Sequence, residues 1–132
     1  MIRSGTAHNA LDIARLYVYW CAAFQLRTDI LWAQMRLETA DLKFGGQVLP
    51  LQNNFCGLRF RDGSGFYSFD SPSKGVAAHI AHVAWHVYPD HLNGCDLLDP
   101  KHGPHPAGVK VLGDLDVWST AGYARKVLAR LG

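Results

Sequence analysis

A chain of 132 residues, 48% hydrophobic and 18% charged, fits one domain (residues 1–132) with room for a core. Thirteen basic and eleven acidic residues give a formal charge of +2, which excludes the strongly basic face of a nucleic-acid binder and suits a polyanionic or mixed-charge polymer. Three widely spaced cysteines, Cys21, Cys56 and Cys95, exclude a disulfide framework and read as free thiols, with Cys21 a small buried hydrophobe.

The opening "MIRSGTAHN" lacks the apolar run of a signal peptide. The apolar stretch behind it is interrupted by Asp12 and Arg15 and is too broken to span a bilayer. The expectation is a protein made in the cytoplasm with no membrane insertion, reaching any site outside the cell by lysis or as part of a larger assembly. The spacing predicts a first helix over 7–26, with Leu11, Ala14, Val18, Cys21 and Gln25 as its stripe and Tyr17 and Phe24 widening it. A second helix over 30–39 is capped by Asp29. Ile30, Leu31, Gln34, Met35 and Glu38 share one side of it, so two polar residues occupy an otherwise apolar stripe.

Residues 40–57 read as loop, broken by Gly45, Gly46, Pro50 and the amides Gln52, Asn53 and Asn54. "LRFRDGSGFYSF" then alternates as a β-hairpin, turning at Asp-Gly with Asp62 serving the turn. "SPSKGVAAHIAHVAWHVYP" is the clearest helix, with Ser71 as N-cap, Pro72 at the first position and Pro89 as its stop. It is apolar nearly all round and is expected to be central and buried. Residues 90–118 are irregular. "STAGYARKVLARLG" is a last helix capped by Ser119 or Thr120, with Tyr123, Val127 and Leu131 inward and Arg125, Lys126 and Arg130 outward. The predicted class is α+β, mostly α: a helical body with a small β-hairpin lobe and a groove between them, with Glu38 at the junction.

Glu38 closes a helix, where the negative end of the macrodipole disfavours an anion, and Met35 and Leu31 lie one and two turns back. Both effects raise the pKa of a carboxyl, and an acid kept protonated near neutrality can donate to a glycosidic oxygen. Asp41, Asp62 and Asp70 are the possible second carboxylates. Asp41 reads as solvated, and Asp70 is placed to face the groove or to help cap the following helix. His79, His82 and His86 share one side of the central helix, with His91 beyond, at spacings that can hold a metal, although no HExxH or paired-cysteine motif accompanies them. Phe55, Phe66, Tyr67, Phe69, Trp118 and Tyr123 are aromatic candidates for sugar faces or for core, and Tyr67 and Tyr123, with their hydroxyls, are the better groove candidates.

Three segments resemble the bacterial peptidoglycan endo-β-N-acetylglucosaminidase family of the lysozyme-like superfamily. "AQMRLETADLKF" is similar to the family's AQ-x-x-x-E-T-G-x-G-K helix end, whose glutamate is the general acid. "NNFCGLRF" is similar to its N-N-x-F-G-I-K segment, and "VWSTAGYARKV" to its closing W-A-T-D-P-x-Y-A-x-K-I helix. The resemblance implies a lysozyme-like fold and a glycosidase acting on peptidoglycan glycan strands, with no cofactor and no metal. Glu38 would be the acid, and Gln34, Asn54, Phe55, Tyr67 and Tyr123 would line or shape the substrate site. The substrate's own N-acetyl oxygen would meet the anomeric carbon. Asp70 would be the base if water attacks directly. The chain departs from the family at Ala40 and Leu42, where glycines stand, at Ala121 and Gly122, where Asp-Pro stands, and at the inserted Cys56. Muramidase or lytic transglycosylase action on the same polymer, a non-catalytic wall-binding module and a histidine metal module are the other readings.

Overall fold

The computed structural model describes residues 8–60, 62–87 and 123–131. Among the described residues the helices are α1 (Ala10–Phe24), α2 (Thr28–Glu38), α3 (Pro72–Val87) and α4 (Tyr123–Ala129), with a 3-10 turn at Pro50–Gln52. The described residues are thus mostly helical. Pro89, His91, Cys95, Trp118 and the proposed cap at Ser119 or Thr120 lie outside them, as do the irregular segment 90–118 and the side chain of Tyr123.

Helix α1 starts where Asn9 accepts hydrogen bonds from the N–H groups of Leu11 (2.9 Å) and Asp12 (3.2 Å). It ends at Gln25, whose φ of 58° is a left-handed cap. Its inner face is Ile13, Tyr17 and Cys21, while Leu11 and Val18 are exposed. The expected stripe is therefore rotated. Apolar residues occur on every side of this helix, so a 3.6-residue period fits more than one phase, and packing on α2 and α3 chooses the one containing Tyr17.

Helix α2 begins at Thr28, so Asp29 sits in the first turn rather than at the cap. There it accepts from the Ile30 N–H and pairs with Arg27. Leu31, Ala33, Gln34 and Met35 are buried. Helix α3 opens as the sequence indicates, with the Ser71 hydroxyl accepting from the Lys74 N–H at 3.2 Å. It is buried from Gly75 through Ala81, and it forms the core with α1, α2, Phe44 and Phe55. Helix α4 packs on α2 through Ala124 and Val127.

The β-hairpin lobe expected over 58–69 is not supported. The chain does turn at Asp62–Ser64, where the Asp62 carboxylate accepts from the Ser64 N–H at 2.9 Å. Beyond that, Arg59 and Phe66 form an isolated antiparallel bridge, and no strand is formed among the described residues. The reason lies in who takes the returning backbone. The carbonyls of Tyr67 and Phe69 accept from the side-chain amides of Asn54 and Asn53, both at 2.9 Å, and the Phe69 N–H donates to the Gln52 carbonyl at 2.8 Å. Loop amides thus hold positions that a ladder would otherwise fill.

Candidate functional site

Glu38 is the last residue of α2, half-buried, and followed by a turn of unusual backbone. Ala40, Asp41 and Leu42 take φ of 51°, 58° and 67°, and Phe44 takes 53°. Left-handed backbone at three consecutive residues with side chains costs roughly 1–2 kcal/mol each, so the surroundings must impose it. Two devices do so. The buried Thr39 hydroxyl donates to the Met35 carbonyl (2.9 Å) and accepts from the Leu42 N–H (2.8 Å), spanning the turn. The Asp41 carboxylate takes Arg36 Nε at 2.7 Å and Arg130 Nη1 at 2.6 Å. Asp41 is therefore clasped by two guanidiniums rather than merely solvated, with the Arg36 hydrogen bond foremost in holding its carboxyl below the usual range. Arg130, expected to face outward, is drawn in to complete the clasp and ties α4 to this turn.

The second wall of the site is residues 53–57. The Asn54 amide is buried and spends both ends on backbone: its N–H groups donate to the carbonyls of Leu58 and Tyr67, and its oxygen accepts from the Leu58 N–H at 2.9 Å. On the far side the loop rests on Gly75 of α3, where a Cβ would stand 1.7 Å from the Asn53 carbonyl oxygen. On the near side it meets Glu38. Gly57 has φ +65°, and a Cβ built there would lie 2.8 Å from Glu38 Oε1. The glutamate side chain thus reaches across from α2 to the Gly57 backbone, and a side chain at 57 would make its carboxyl shift.

Behind Glu38 lies a buried polar chain. The Tyr17 hydroxyl is 2.6 Å from His79 Nδ1, and His79 Nε2 is 2.8 Å from Gln34 Oε1. All three side chains are buried, and burial pushes the imidazole pKa down to about 3, so His79 is neutral at pH 7. Burial likewise pushes the Tyr17 hydroxyl well above its ordinary value and the Cys21 thiol up to about 11. Gln34 Nε2 is buried with no hydrogen-bond partner. An unmet buried donor of this kind costs about 1–3 kcal/mol.

The described sequence-predicted site residues stand in four settings. Glu38 sits against the loop as just described. Gln34, Asn54 and Phe55 are buried inside the fold, Phe55 within an aromatic cluster with His8 and Phe44, so these three build the site from beneath rather than face a ligand. Tyr67 is half-buried, with its ring 4.8 Å from that of Phe60. Asp70 stands apart from both: its side chain is 89% exposed and pairs with Lys74 at 3.3 Å, one helical turn on. His79 points inward while His82 and His86 stack on one another at 5.0 Å, and no group of three or more metal-ligating side chains converges among the described residues. Sequence reasoning missed Tyr17 as a polar partner and Gly57 and Gly75 as contact points. The available signal was a histidine among alanines on an all-apolar helix, which needs buried partners.

No protein-family model matches the chain, and no solved structure matches it. An uncharacterized protein of Borreliella burgdorferi is 30% identical to it over 90 residues, covering 67% of this chain and 44% of that protein. The chain thus spans less than half the length of that relative. Among the described residues no helix is long and apolar enough to cross a membrane.

Proposed function

We propose that the protein is a glycoside hydrolase that cleaves the β-1,4-linked glycan strands of bacterial peptidoglycan, as an endo-β-N-acetylglucosaminidase with Glu38 as general acid. The observation that carries this reading is the seat of Glu38: its carboxyl lies against Gly57 at the negative end of α2. That end of a helix and the nearby apolar side chain of Met35 favour the neutral acid over the anion. The neutral acid donates its proton to the leaving glycosidic oxygen as positive charge develops at the anomeric carbon.

The second carboxylate of a two-acid mechanism has a weak candidate in Asp70, which is exposed and held by Lys74. That favours attack by the substrate's own acetamido oxygen, with Tyr67 and Tyr123 as the aromatic groups available to sugar faces. The finer fold expectation, a lysozyme-like body with a groove beside Glu38, belongs to this proposal. So does action at the cell wall after lysis or from a phage or wall-associated assembly.

Mass spectrometry of wall fragments tests it. The wild type is expected to release glycan ending in reducing N-acetylglucosamine, and Glu38→Gln to release none. A reducing N-acetylmuramic acid end or a 1,6-anhydro product would move the activity to a muramidase or a lytic transglycosylase. The exposure of Asp70 also favours a second reading, a wall-binding module that does no chemistry. Equal pelleting of wild type and Glu38→Gln with sacculi, with no fragments from either, would establish that reading.

A further inference from the structure

We propose that Gln34 is a positioning residue for Glu38: its side-chain N–H, held in place by His79 and Tyr17, receives the carboxylate that Glu38 becomes on giving up its proton. The inference rests on the reading of Glu38 as proton donor.

Three helices contribute one side chain each to a buried line, Tyr17 from α1, His79 from α3 and Gln34 from α2. A neutral imidazole has one donor and one acceptor, so the placement of the Gln34 amide, with Oε1 towards His79, sets the sense of the line. Gln34 Oε1 can only accept, which places the proton on His79 Nε2 at 2.8 Å. His79 Nδ1 is then an acceptor, and the Tyr17 hydroxyl donates to it at 2.6 Å. The sense of the line follows the amide orientation and turns with it. Its outcome is that both N–H bonds of Gln34 Nε2 are left over, in a place where this atom has no partner. Native folds seldom leave a buried donor unmet, so this N–H calls for an acceptor.

The acceptor that fits is four residues on. Gln34 and Glu38 lie one turn apart on the same face of α2, the spacing at which helix side chains meet. The Glu38 carboxyl also meets Gly57, where a Cβ would stand 2.8 Å from Oε1. During the reaction the Glu38 proton passes to the leaving oxygen as the C–O bond breaks with its electron pair. The new carboxylate is an acceptor of far greater strength than the acid it replaces, and it draws the Gln34 N–H into a hydrogen bond that the resting structure does not hold. A proton from the incoming water later restores the acid, and Gln34 exchanges no proton at any stage.

The test uses the full chain and three readouts: kcat on soluble glycan strands, its pH profile, and the titration midpoint of the Glu38 side chain by carbon NMR with labelled glutamate, assigned through Glu38→Gln. Gln34→Met removes the donor at similar length. It is expected to lower kcat about tenfold with KM within about twofold, and to move the alkaline limb and the NMR midpoint upward by about one pH unit, the equivalent shift. Tyr17→Phe keeps Gln34 but frees the far end of the line, and is expected to move both in the same direction by less. Folded variants whose limb and midpoint stay at the wild-type positions overturn the proposal. If Gln34→Met does not fold, Tyr17→Phe decides the matter by the same readouts. If the protein cleaves no glycan, the NMR midpoint still decides whether Gln34 serves Glu38, so failure of the glycosidase reading is told apart from failure of this one.

Discussion

Residues 39–44 and residues 53–57 both bend sharply beside Glu38, and they do so with different residues. The first segment places Ala40, Asp41, Leu42 and Phe44 at positive φ, whereas the second places Asn53 and Gly57 there. Ala40 and its neighbours face no obstruction that demands glycine, so the backbone tolerates side chains once Thr39 and the Arg36–Asp41–Arg130 clasp fix the path. At Gly57 a Cβ would stand 2.8 Å from Glu38 Oε1, so a side chain there would both strain the backbone and displace the carboxyl. Strain is held by neighbours in the first loop, whereas the second uses asparagine and glycine, which adopt left-handed backbone at least cost.

Four variants or conditions sharpen the contrast. The largest effect is expected from Gly75→Ala, since its Cβ would meet the Asn53 carbonyl at 1.7 Å and backbone on both sides must shift. A loss of about 3 kcal/mol in denaturant unfolding is expected. A loss under about 1 kcal/mol would show that the 53–57 loop is not pinned on α3. Asn54→Ala comes next. It orphans the Leu58 N–H and removes the donors to the Leu58 and Tyr67 carbonyls. About 2–3 kcal/mol of lost stability is expected, with the 53–57 amides exchanging faster in hydrogen-exchange experiments.

The third is a pH effect. The His79 pKa lies at about 3 in the fold, because of burial first and His82 second, against an ordinary 6.5 when unfolded. Between those values the unfolded chain binds the extra proton. Stability from this group is therefore complete above pH 6.5 and is lost as pH falls towards 3, at up to about 1.4 kcal/mol per pH unit. Denaturant titrations of wild type and His79→Gln at pH 7 and pH 5 check this: the wild type should lose more than the variant, and equal losses would contradict it.

The smallest effect is Ala40→Gly, the substitution that relieves left-handed strain. It should stabilise by a few tenths to about 1 kcal/mol, because relief of strain is partly offset by the greater freedom of glycine in the unfolded chain. A destabilisation would show that Ala40 is held by contacts rather than strained.

Local signals made part of this legible in the sequence. The Ser71-Pro72 start of α3, the Asp62 turn and the shared face of Gln34, Met35 and Glu38 all follow from residues within a turn of one another. The phase of α1 does not, because Leu11 and Val18 are as apolar as Ile13 and Tyr17 and only packing against α2 and α3 distinguishes them. The expected hairpin was lost to Asn53 and Asn54, whose amides bind backbone 13 to 16 residues away. The Tyr17–His79–Gln34 line joins residues 62 and 45 positions apart, a distance at which no spacing rule operates. Asn54 and Phe55 were legible as important to the site, but not as buried supports of it.

The central claim, that Glu38 is an acid held ready by these two loops, is tested most directly by turbidity of purified sacculi, with wild type beside Glu38→Gln and both shown to be folded by their unfolding transitions. The account predicts that the wild type clears the suspension and that the variant leaves it unchanged. Clearing by both at the same rate would contradict it.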